Sequence, residues 1–306
     1  MQQRFRVLDS LASGEPLAAF LAADPDPPRA AVVMGGGVAR ADAAFLDAVP
    51  SVRCLVSTAA GVDHIDLAEC VRRGIAVANS GTVYSADVAD HAVGMLLDVL
   101  RRVSAAERFV RRGLWPLQGH YALGSTVFLM LSARRQARRD YRLGEHRLAH
   151  CKKRLEAFGC TIHYTSRKPK DSVPYKYFPR VHDLASESDV LIVAGALNKE
   201  THHIVGKDVL DALGKNGVLV NIGRGANVDE AELVRALEEG RIAGAGLDVF
   251  ESEPKVPPEL FSMDNVVLTP HSAVFTVESR SDLCQHLICN LEAFFDGKPL
   301  ITPVVP

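Results

Sequence analysis

Four short apolar runs decide the fold: DVLIVAG (189–195), GVLVNIG (217–223), AGAGLDVF (243–250) and NVVLTP (265–270). Each run has the length of a buried strand, and amphipathic stretches lie between them. Strands that alternate with helices pair in parallel and carry the helices on the faces of the sheet. The runs therefore predict an α/β domain built on a parallel sheet.

The same alternation continues toward the N terminus. Four more runs are candidate strands: RAAVVMGG (29–36), VRCLVST (52–58), IAVANS (75–80) and TIHYTS (161–166). Residues 85–113 have apolar residues at helical spacing and predict one or two helices that cross between domains. Residues 279–297 predict an amphipathic helix that ends at Gly297 and returns to the first domain. A chain of 306 residues is long enough for two such domains.

The composition limits the possible partners and compartments. With 47% hydrophobic residues, 24% charged residues and a net charge of −2, the chain gives no overall reason to expect nucleic acid or a membrane as partner. The first residues, MQQRFRVLD, have no apolar signal-peptide core, so we expect a cytoplasmic protein. The six cysteines show no C-x-x-C spacing, which favours buried free thiols over disulfides or a zinc site.

Three motifs follow the last predicted strands: VNIGRGANVDE (220–230), AGAGLDVFESEP (243–254) and VVLTPHSA (266–273). They contain Arg224, Glu253 and His271, residue types that suit the reduction of a 2-keto acid. The planar guanidinium of an arginine can bind a carboxylate through two hydrogen bonds. A histidine can donate the proton required by the alkoxide that forms when hydride adds to the carbonyl. Glu253 would orient the imidazole of His271 and stabilise its charged form.

Each of these three residues also has an ordinary interpretation, as a surface charge, a turn residue or a half-buried ring. Their order and spacing together favour the catalytic interpretation. The chemistry requires no metal. His202 and His203 are adjacent, but the sequence suggests no third ligand, so we interpret them as surface residues.

The order GRG, LDVFxxEP and proline-histidine closely resembles the D-isomer-specific 2-hydroxyacid dehydrogenases. Within that family, KRLEAFGC (153–160), SRKPK (166–170) and NLEAFFDGKPL (290–300) resemble the plant hydroxyphenylpyruvate reductases and glyoxylate/hydroxypyruvate reductases. The resemblance covers residues 4–125 and 152–304. It implies a small 2-keto acid as substrate and a homodimer formed through the cofactor domain.

The resemblance also implies two Rossmann-like domains with the active site in the cleft between them. We expect a flavodoxin-like substrate domain at 1–98 plus 273–306 and an NAD(P)-binding domain at 99–272. The start, QQRFRVLD (2–9), resembles an interior helix end and strand, so we expect the first strand of the substrate domain to be missing.

The resemblance assigns further binding residues. Backbone N–H groups of Ala59, Ala60 and Gly61 would bind the substrate carboxylate together with Arg224, and Asp248 would contact the nicotinamide side of the cofactor. The remaining cofactor contacts would come from Ala196, Ile222, Gly223 and Arg224.

The residues that follow the strand at 161–166 predict the choice of cofactor. An acidic residue there would bind the ribose hydroxyls of NAD, whereas a basic one accommodates the 2′-phosphate of NADP. Ser166, Arg167 and Lys168 occupy this place. They favour NADPH over NADH.

The cofactor loop is anomalous. Where a strand, a G-x-G-x-x-G turn and a helix should hold the pyrophosphate, residues 134–154 read RRQARRDYRLGEHRLAHCKKR. Because Arg142, Glu145 and Arg147 replace glycines or their neighbours, we expect a chain with this segment to bind NADPH weakly or not at all. The basic segment leaves an alternative open, a non-catalytic regulatory or binding member of the same fold.

The genetic code offers an explanation for this segment. When the codons are read one base later from Arg135, residues 135–141 can become G-K-R-V-G-I-I and residues 142–147 can become G-L-G-S-I-G or G-L-G-N-I-G. The result is a central strand followed by a dinucleotide fingerprint, with Ser166 and Arg167 about 20 residues further on, where the ribose contact belongs. We therefore hypothesise that residues 126–151 are an out-of-frame or mis-spliced reading of an ordinary cofactor loop.

This hypothesis predicts the transcript sequence. Sequencing across the codons for residues 124–154 is expected to reveal an in-frame G-x-G-x-x-G loop. A transcript that encodes the residues as printed would refute the reading-frame hypothesis and would favour the non-catalytic alternative.

Overall fold

The computed structural model describes residues 1–22, 24–35, 40–121, 138–143, 151, 154–170 and 174–305. They divide into two compact units, Met1–Tyr84 with Phe275–Pro306, and Ser85–Val274. Each unit contains a sheet whose strands are mainly parallel, so the predicted α/β class is confirmed.

The first unit contains a four-stranded sheet in the order β1-β2-β3-β11. Its strands are β1 (Ala30–Val33), β2 (Cys54–Ser57), β3 (Ala76–Ala78) and β11 (Pro303–Val305). The first three are parallel and were predicted, whereas β11 is antiparallel to β3 and was not. The helices of this unit are α1 (Ser10–Ser13), α2 (Leu17–Ala22), α3 (Ala43–Ala48), α4 (Leu67–Arg73) and α11 (Val277–Phe295).

The second unit contains a seven-stranded parallel sheet in the order β10-β9-β8-β7-β4-β5-β6. Its strands are β4 (Arg138–Leu143), β5 (Thr161–Tyr164), β6 (Lys176–Tyr177), β7 (Val190–Ala194), β8 (Val218–Asn221), β9 (Gly244–Leu247) and β10 (Val266–Leu268). Every residue of β7, β8 and β9 is buried. Burial on both faces explains why these strands are continuous apolar runs in the sequence.

The strand order of the second unit contains a reversal. The chain passes from β4 to β5 and β6 on one side, and then crosses to β7 and continues outward to β10 on the other. Doubly wound sheets bind ligands beyond the carboxyl ends of the strands at such a switch point. The switch lies between β4 and β7, so a ligand site is expected there.

Strand β4 lies at the centre of the sheet, where the restored reading of the sequence places a strand. It pairs with β5 on one side and β7 on the other, with Arg139 opposite Val190. The residues printed for this strand, RRDYRL, lack the apolar character of the neighbouring strand β7. The expected disrupted loop at 126–151 otherwise lies outside the described residues, apart from Cys151.

The helices of the second unit are α5 (Ser85–Arg101), α6 (Val103–Arg111), α7 (Leu114–Gln118), α8 (Val181–Ser186), α9 (Lys207–Leu213) and α10 (Glu230–Glu238). Helix α5 packs along β8, β9 and β10 and buries Met95, Leu96 and Val99. Residues 85–98 therefore lie in the second unit, whereas the sequence analysis placed them in the first domain. Because α5 is one continuous helix that packs on the sheet of the second unit, its first residues belong to that unit as well.

All six cysteines lie among the described residues, and none of them forms a disulfide bond. Four are buried, and burial raises the pKa of Cys54 to about 12. The expectation of burial is wrong for Cys284, which is exposed on α11. Within the part of the chain that the structure describes, no helix has the length and apolar character needed to cross a membrane.

Candidate active site

Three of the candidate site residues follow three neighbouring strands of the second unit. Arg224 comes after β8, Asp248 directly after β9 and His271 after β10. Because these strands are parallel, their carboxyl ends lie at the same edge of the sheet. This edge is where the topology predicts a ligand site.

The structure brings His271 and Glu253 into direct contact. The Nδ1 atom of His271 lies 2.9 Å from Oε2 of Glu253, and both side chains are about a quarter exposed. The second carboxylate oxygen, Oε1, accepts the N–H of Phe250 at 3.0 Å. A carboxylate held in this way orients the imidazole and leaves Nε2 as the nitrogen that can carry a proton to or from a ligand.

The surroundings of Glu253 favour its charged form. Partial burial acts to raise the pKa of Glu253, but the hydrogen bonds with His271 and the Phe250 N–H outweigh it, and the charges of His271 and Arg224 contribute in the same direction. The pKa of Glu253 therefore lies below its usual value. Glu253 is therefore an ionised hydrogen-bond acceptor beside His271 at neutral pH.

The backbone at His271 is in the left-handed region, with φ of 53°. This conformation is uncommon for a residue with a side chain and costs of the order of 1–3 kcal/mol. It is held by a hydrogen bond from the His271 N–H to the carbonyl oxygen of Asp248 at 2.7 Å. The orientation of the imidazole therefore depends on a residue of another strand end.

The buried carboxylate of Asp248 holds the same loop. Its Oδ1 accepts the Thr269 hydroxyl and the Ser272 N–H, each at 2.7 Å, and its Oδ2 accepts the Ala273 N–H at 3.2 Å. The imidazole of His91 on α5 lies 3.4 Å from Oδ1. Asp248 thus fixes the backbone on both sides of His271.

Burial acts to raise the pKa of Asp248, but its hydrogen-bond donors outweigh this effect and lower the pKa. The resemblance implied for Asp248 only a contact with the nicotinamide side of the cofactor. Its role in holding the loop was missed because His91, Thr269 and Ser272 become its neighbours only in the folded sheet.

Two buried asparagines shape the loop that carries Arg224. The side chain of Asn221 accepts the Gly223 N–H and donates to the Arg224 carbonyl, while Oδ1 of Asn227 accepts the Arg224 N–H at 3.0 Å. The backbone of Phe250 lies so close to Gly225 that a Cβ there would be 1.9 Å from the Phe250 carbonyl carbon. Neither asparagine was predicted from the sequence to have a role, although the amide of Asn221 at the end of an apolar strand was a signal that could have identified it.

A cavity of about 510 Å³ lies at the carboxyl end of β5. Its lining includes Ser166 and Arg167, which were predicted from the sequence to bind the cofactor. Arg180 and His182 also line the cavity, and no cofactor contact was predicted for them. Lys168 is not among the lining residues; its carbonyl oxygen accepts the Ser166 hydroxyl at 2.6 Å. The cavity therefore carries basic and hydroxyl groups suited to a phosphate.

The other predicted cofactor residues lie at the ends of β7 and β8. The carbonyl of Ala196 accepts the Thr201 hydroxyl at 2.8 Å, and the Ile222 N–H donates to Val193 at 2.9 Å. A Cβ at Gly223 would lie 2.9 Å from the Gly195 carbonyl oxygen, so these two strand ends approach closely.

The predicted substrate loop, Ala59 to Gly61, belongs to the first unit. The Ala59 N–H donates to the Ser57 hydroxyl at 3.1 Å, and the Ala60 carbonyl accepts the side chain of Asn79 at 2.7 Å. The hydroxyl of Ser57 is also 3.2 Å from the His64 imidazole. Internal hydrogen bonds thus order this loop, and they already use the N–H of Ala59.

Comparison with known proteins identifies the class. The family model for the NAD-binding domain of D-isomer specific 2-hydroxyacid dehydrogenases matches residues 148–273. A glyoxylate/hydroxypyruvate reductase of Arabidopsis thaliana is 45% identical over 306 residues, which cover 99% of this chain and 92% of that protein. The chain therefore belongs to the D-isomer-specific 2-hydroxyacid dehydrogenase family, a family of oxidoreductases, and the resemblance seen in the sequence is confirmed.

Two further relatives are similar over most of their length. A hydroxyphenylpyruvate reductase of Plectranthus scutellarioides is 48% identical over 286 residues, which cover 94% of this chain and 88% of that protein. The structure of an NADPH-dependent glyoxylate/hydroxypyruvate reductase of Sinorhizobium meliloti, solved with NADP and malonate, matches with a TM-score of 0.83 at 38% identity. That match covers 90% of this chain and 83% of the other.

The hydrogen bonds of Asp248 generate a stability prediction. Both carboxylate oxygens of Asp248 accept hydrogen bonds, so the NH₂ group of an asparagine side chain would face an N–H or hydroxyl donor and could not bond to it. We therefore expect Asp248→Asn to lower the free energy of unfolding by about 1–3 kcal/mol at neutral pH. Asp264→Asn serves as control, because Asp264 is 67% exposed. Urea unfolding measures both variants.

The same substitution should change the pH dependence of stability. Because the pKa of Asp248 is lowered in the folded state, its contribution is complete above the unfolded pKa of about 3.9 and is lost as the pH falls through the folded pKa. The difference between the parent and Asp248→Asn should therefore shrink on acidification. An unchanged difference would contradict the assigned role of the carboxylate.

Proposed function

We propose that the chain reduces a 2-keto acid, of the hydroxypyruvate, glyoxylate or hydroxyphenylpyruvate class, to the D-2-hydroxy acid and uses NADPH in preference to NADH. The observation that carries the proposal is the hydrogen-bonded pair of His271 and Glu253 at the same sheet edge as Arg224. The names of the relatives support the substrate class, since they include reductases of these keto acids.

In this proposal each residue of the site has one task. The guanidinium of Arg224 grips the carboxylate of the keto acid and polarises the adjacent carbonyl. Nε2 of His271 donates a proton to the carbonyl oxygen as the alcohol forms, and Glu253 holds the ring and stabilises its charged form before the transfer. Asp248 is a positioning residue that keeps His271 in place.

The nicotinamide cofactor, when bound, supplies the hydride. The cavity beyond β5 fits the adenosine end of such a cofactor, because the guanidinium groups of Arg167 and Arg180 line it and carry the positive charge that a 2′-phosphate requires. The Arg180 guanidinium also donates two hydrogen bonds to Asp183, and the Ser166 hydroxyl, which lines the same cavity, donates to the Lys168 carbonyl. No acidic residue stands where a ribose-binding carboxylate would follow β5. These features support NADPH over NADH, with Ala196, Ile222, Gly223 and Asp248 as the proposed contacts nearer the nicotinamide.

For the substrate carboxylate we propose N–H groups of the first unit as well. Because the N–H of Ala59 already donates to Ser57, the proposal gives this task to Ala60 and Gly61. The hydrogen bond between Asn79 and the Ala60 carbonyl would hold these N–H groups in place.

The activity also requires a loop that can approach the pyrophosphate. The decisive experiment compares the printed chain with a variant whose residues 135–147 are replaced by GKRVGIIGLGSIG, the restored reading. We expect the variant to bind NADPH and consume it with hydroxypyruvate, glyoxylate or hydroxyphenylpyruvate, and the printed chain to do so weakly or not at all. Calorimetry with NADPH and loss of NADPH absorbance are the two readouts.

Two outcomes of this experiment would count against parts of the proposal. Micromolar NADPH affinity of the printed chain would refute the expectation that the segment abolishes binding. A restored variant that binds NADPH but reduces none of the keto acids would contradict the catalytic assignment and favour a regulatory member.

We further propose a cytoplasmic homodimer. The family resemblance supports the dimer. Light scattering and a fluorescent fusion protein would test these two points.

The catalytic assignment predicts separate effects of two substitutions in the restored variant. His271→Gln should lower kcat by about 10²–10⁴-fold, because the proton donor is lost. Arg224→Lys keeps the positive charge but loses the planar guanidinium and its two parallel donors, so it should mainly raise KM for the keto acid. His120→Gln and Arg112→Lys alter exposed residues and serve as controls. Equal activity of His271→Gln and its control would refute the role of His271.

The cofactor assignment predicts a loss that is specific to NADPH. Arg167→Ala or Arg180→Ala removes a charged hydrogen-bond donor and should raise KM for NADPH by about tenfold or more, with little change for NADH. Steady-state kinetics with both cofactors in the restored variant measures the ratio. A parallel rise for both cofactors would indicate that neither guanidinium discriminates the 2′-phosphate.

A further inference from the structure

Two histidines that are adjacent in the sequence and a glutamate from another loop lie close together on the surface of the second unit. Nε2 of His203 lies 2.7 Å from Oε1 of Glu251, and the rings of His202 and His203 stack with centroids 4.0 Å apart. One nitrogen from each histidine and one carboxylate oxygen all lie within 4.8 Å of one another. Three potential ligand atoms, one from each side chain, therefore lie close together.

The backbone explains how adjacent histidines reach the same point. Successive side chains of an extended chain point to opposite sides, but His203 is in the left-handed region with φ of 49°. Its N–H donates to the Ala226 carbonyl at 2.8 Å, which fixes this turn. The Glu251 N–H donates to a carboxylate oxygen of Glu230 at 3.0 Å, so the segment that carries the third donor is fixed as well.

A simple ion pair accounts for only part of this arrangement. It explains the contact of His203 with Glu251, but it gives no reason for a second imidazole stacked against the first at the same place. Two imidazoles and one carboxylate are a known ligand set for Zn²⁺, with a fourth position left for water. In a tetrahedral site with bonds of about 2.0–2.1 Å, donor atoms lie about 3.3 Å apart, so small side-chain rotations would suffice here.

We propose that His202, His203 and Glu251 form a binding site for a divalent first-row transition cation of the Zn²⁺ type. The site is separate from the residues assigned to the keto acid and the dinucleotide. It joins the loop after β7 to the loop after β9. The segment Arg224 to Ala226 contacts both loops, through the hydrogen bond at Ala226 and the close packing of Gly225 on Phe250.

The cation therefore clamps the two loops that support the backbone of Arg224. The clamp depends on the described loops alone and not on the proposed catalysis. Its test can succeed or fail whatever the activity of the chain.

Titration of the full chain with Zn²⁺ alone, by calorimetry near neutral pH, tests the proposal. We expect one Zn²⁺ per chain at this site, and each of His202→Gln and Glu251→Gln should weaken binding by at least about tenfold, because one of three ligands is lost. His182→Gln is the matched control, since His182 contacts Asp183 at 3.3 Å in a pair of one histidine and one carboxylate. Its Zn²⁺ affinity should equal that of the parent.

Thermal melting provides the second readout. Zn²⁺ should raise the Tm of the parent and of His182→Gln, but not that of the double variant His202→Gln/Glu251→Gln. Glu251→Gln is nearly isosteric, so a melt without Zn²⁺ shows whether the fold is kept. No Zn²⁺ binding by the parent, or binding that survives in both single variants through other histidines, would overturn the proposal.

Discussion

Parallel pairing of β7, β8, β9 and β10 is the constraint on which the site depends. Parallel strands begin at one edge of a sheet and end at the other, so the residues that follow them converge without being neighbours in sequence. Their buried apolar runs set the register, and the register sets which residue stands at each strand end. Arg224, Asp248 and His271 face the same edge for this reason.

The residues at that edge are held by polar groups that are themselves buried. Asp248 binds the backbone around His271, and Asn221 and Asn227 bind the backbone around Arg224. A buried polar group left unpaired is costly, so these hydrogen bonds leave few alternative conformations for either loop. The left-handed backbone at His271 persists because its surroundings favour it more than its local strain opposes it.

At the centre of the sheet in the second unit, the backbone of β4 fits a dinucleotide-binding fold but the printed residues do not. The backbone of β4 occupies the first position of a dinucleotide fold, between β5 and β7, while the printed residues RRDYRL carry charges beside the fully apolar strand β7. Read one base later, the same positions can become V-G-I-I-G-L, which matches the character of a strand covered on both faces. Arg224, Glu253 and His271 at the sheet edge, and the cavity beyond β5, are arranged as the proposed reductase requires, whereas the residues of β4 depart from the pattern of a dinucleotide fold.

Local periodicity and motifs in a fixed order were sufficient to predict the α/β class, eight of the strands and the family, and they selected Arg224, Glu253 and His271 as candidate catalytic residues. The folded structure was needed to show that α5 belongs to the second unit, that Asp248 holds the His271 loop, that Arg180 lines the cavity and that Glu251 lies beside His202 and His203. Each of these contacts joins residues that are distant along the chain. Local patterns carry no information on such contacts, because the strand order of the folded sheet creates them.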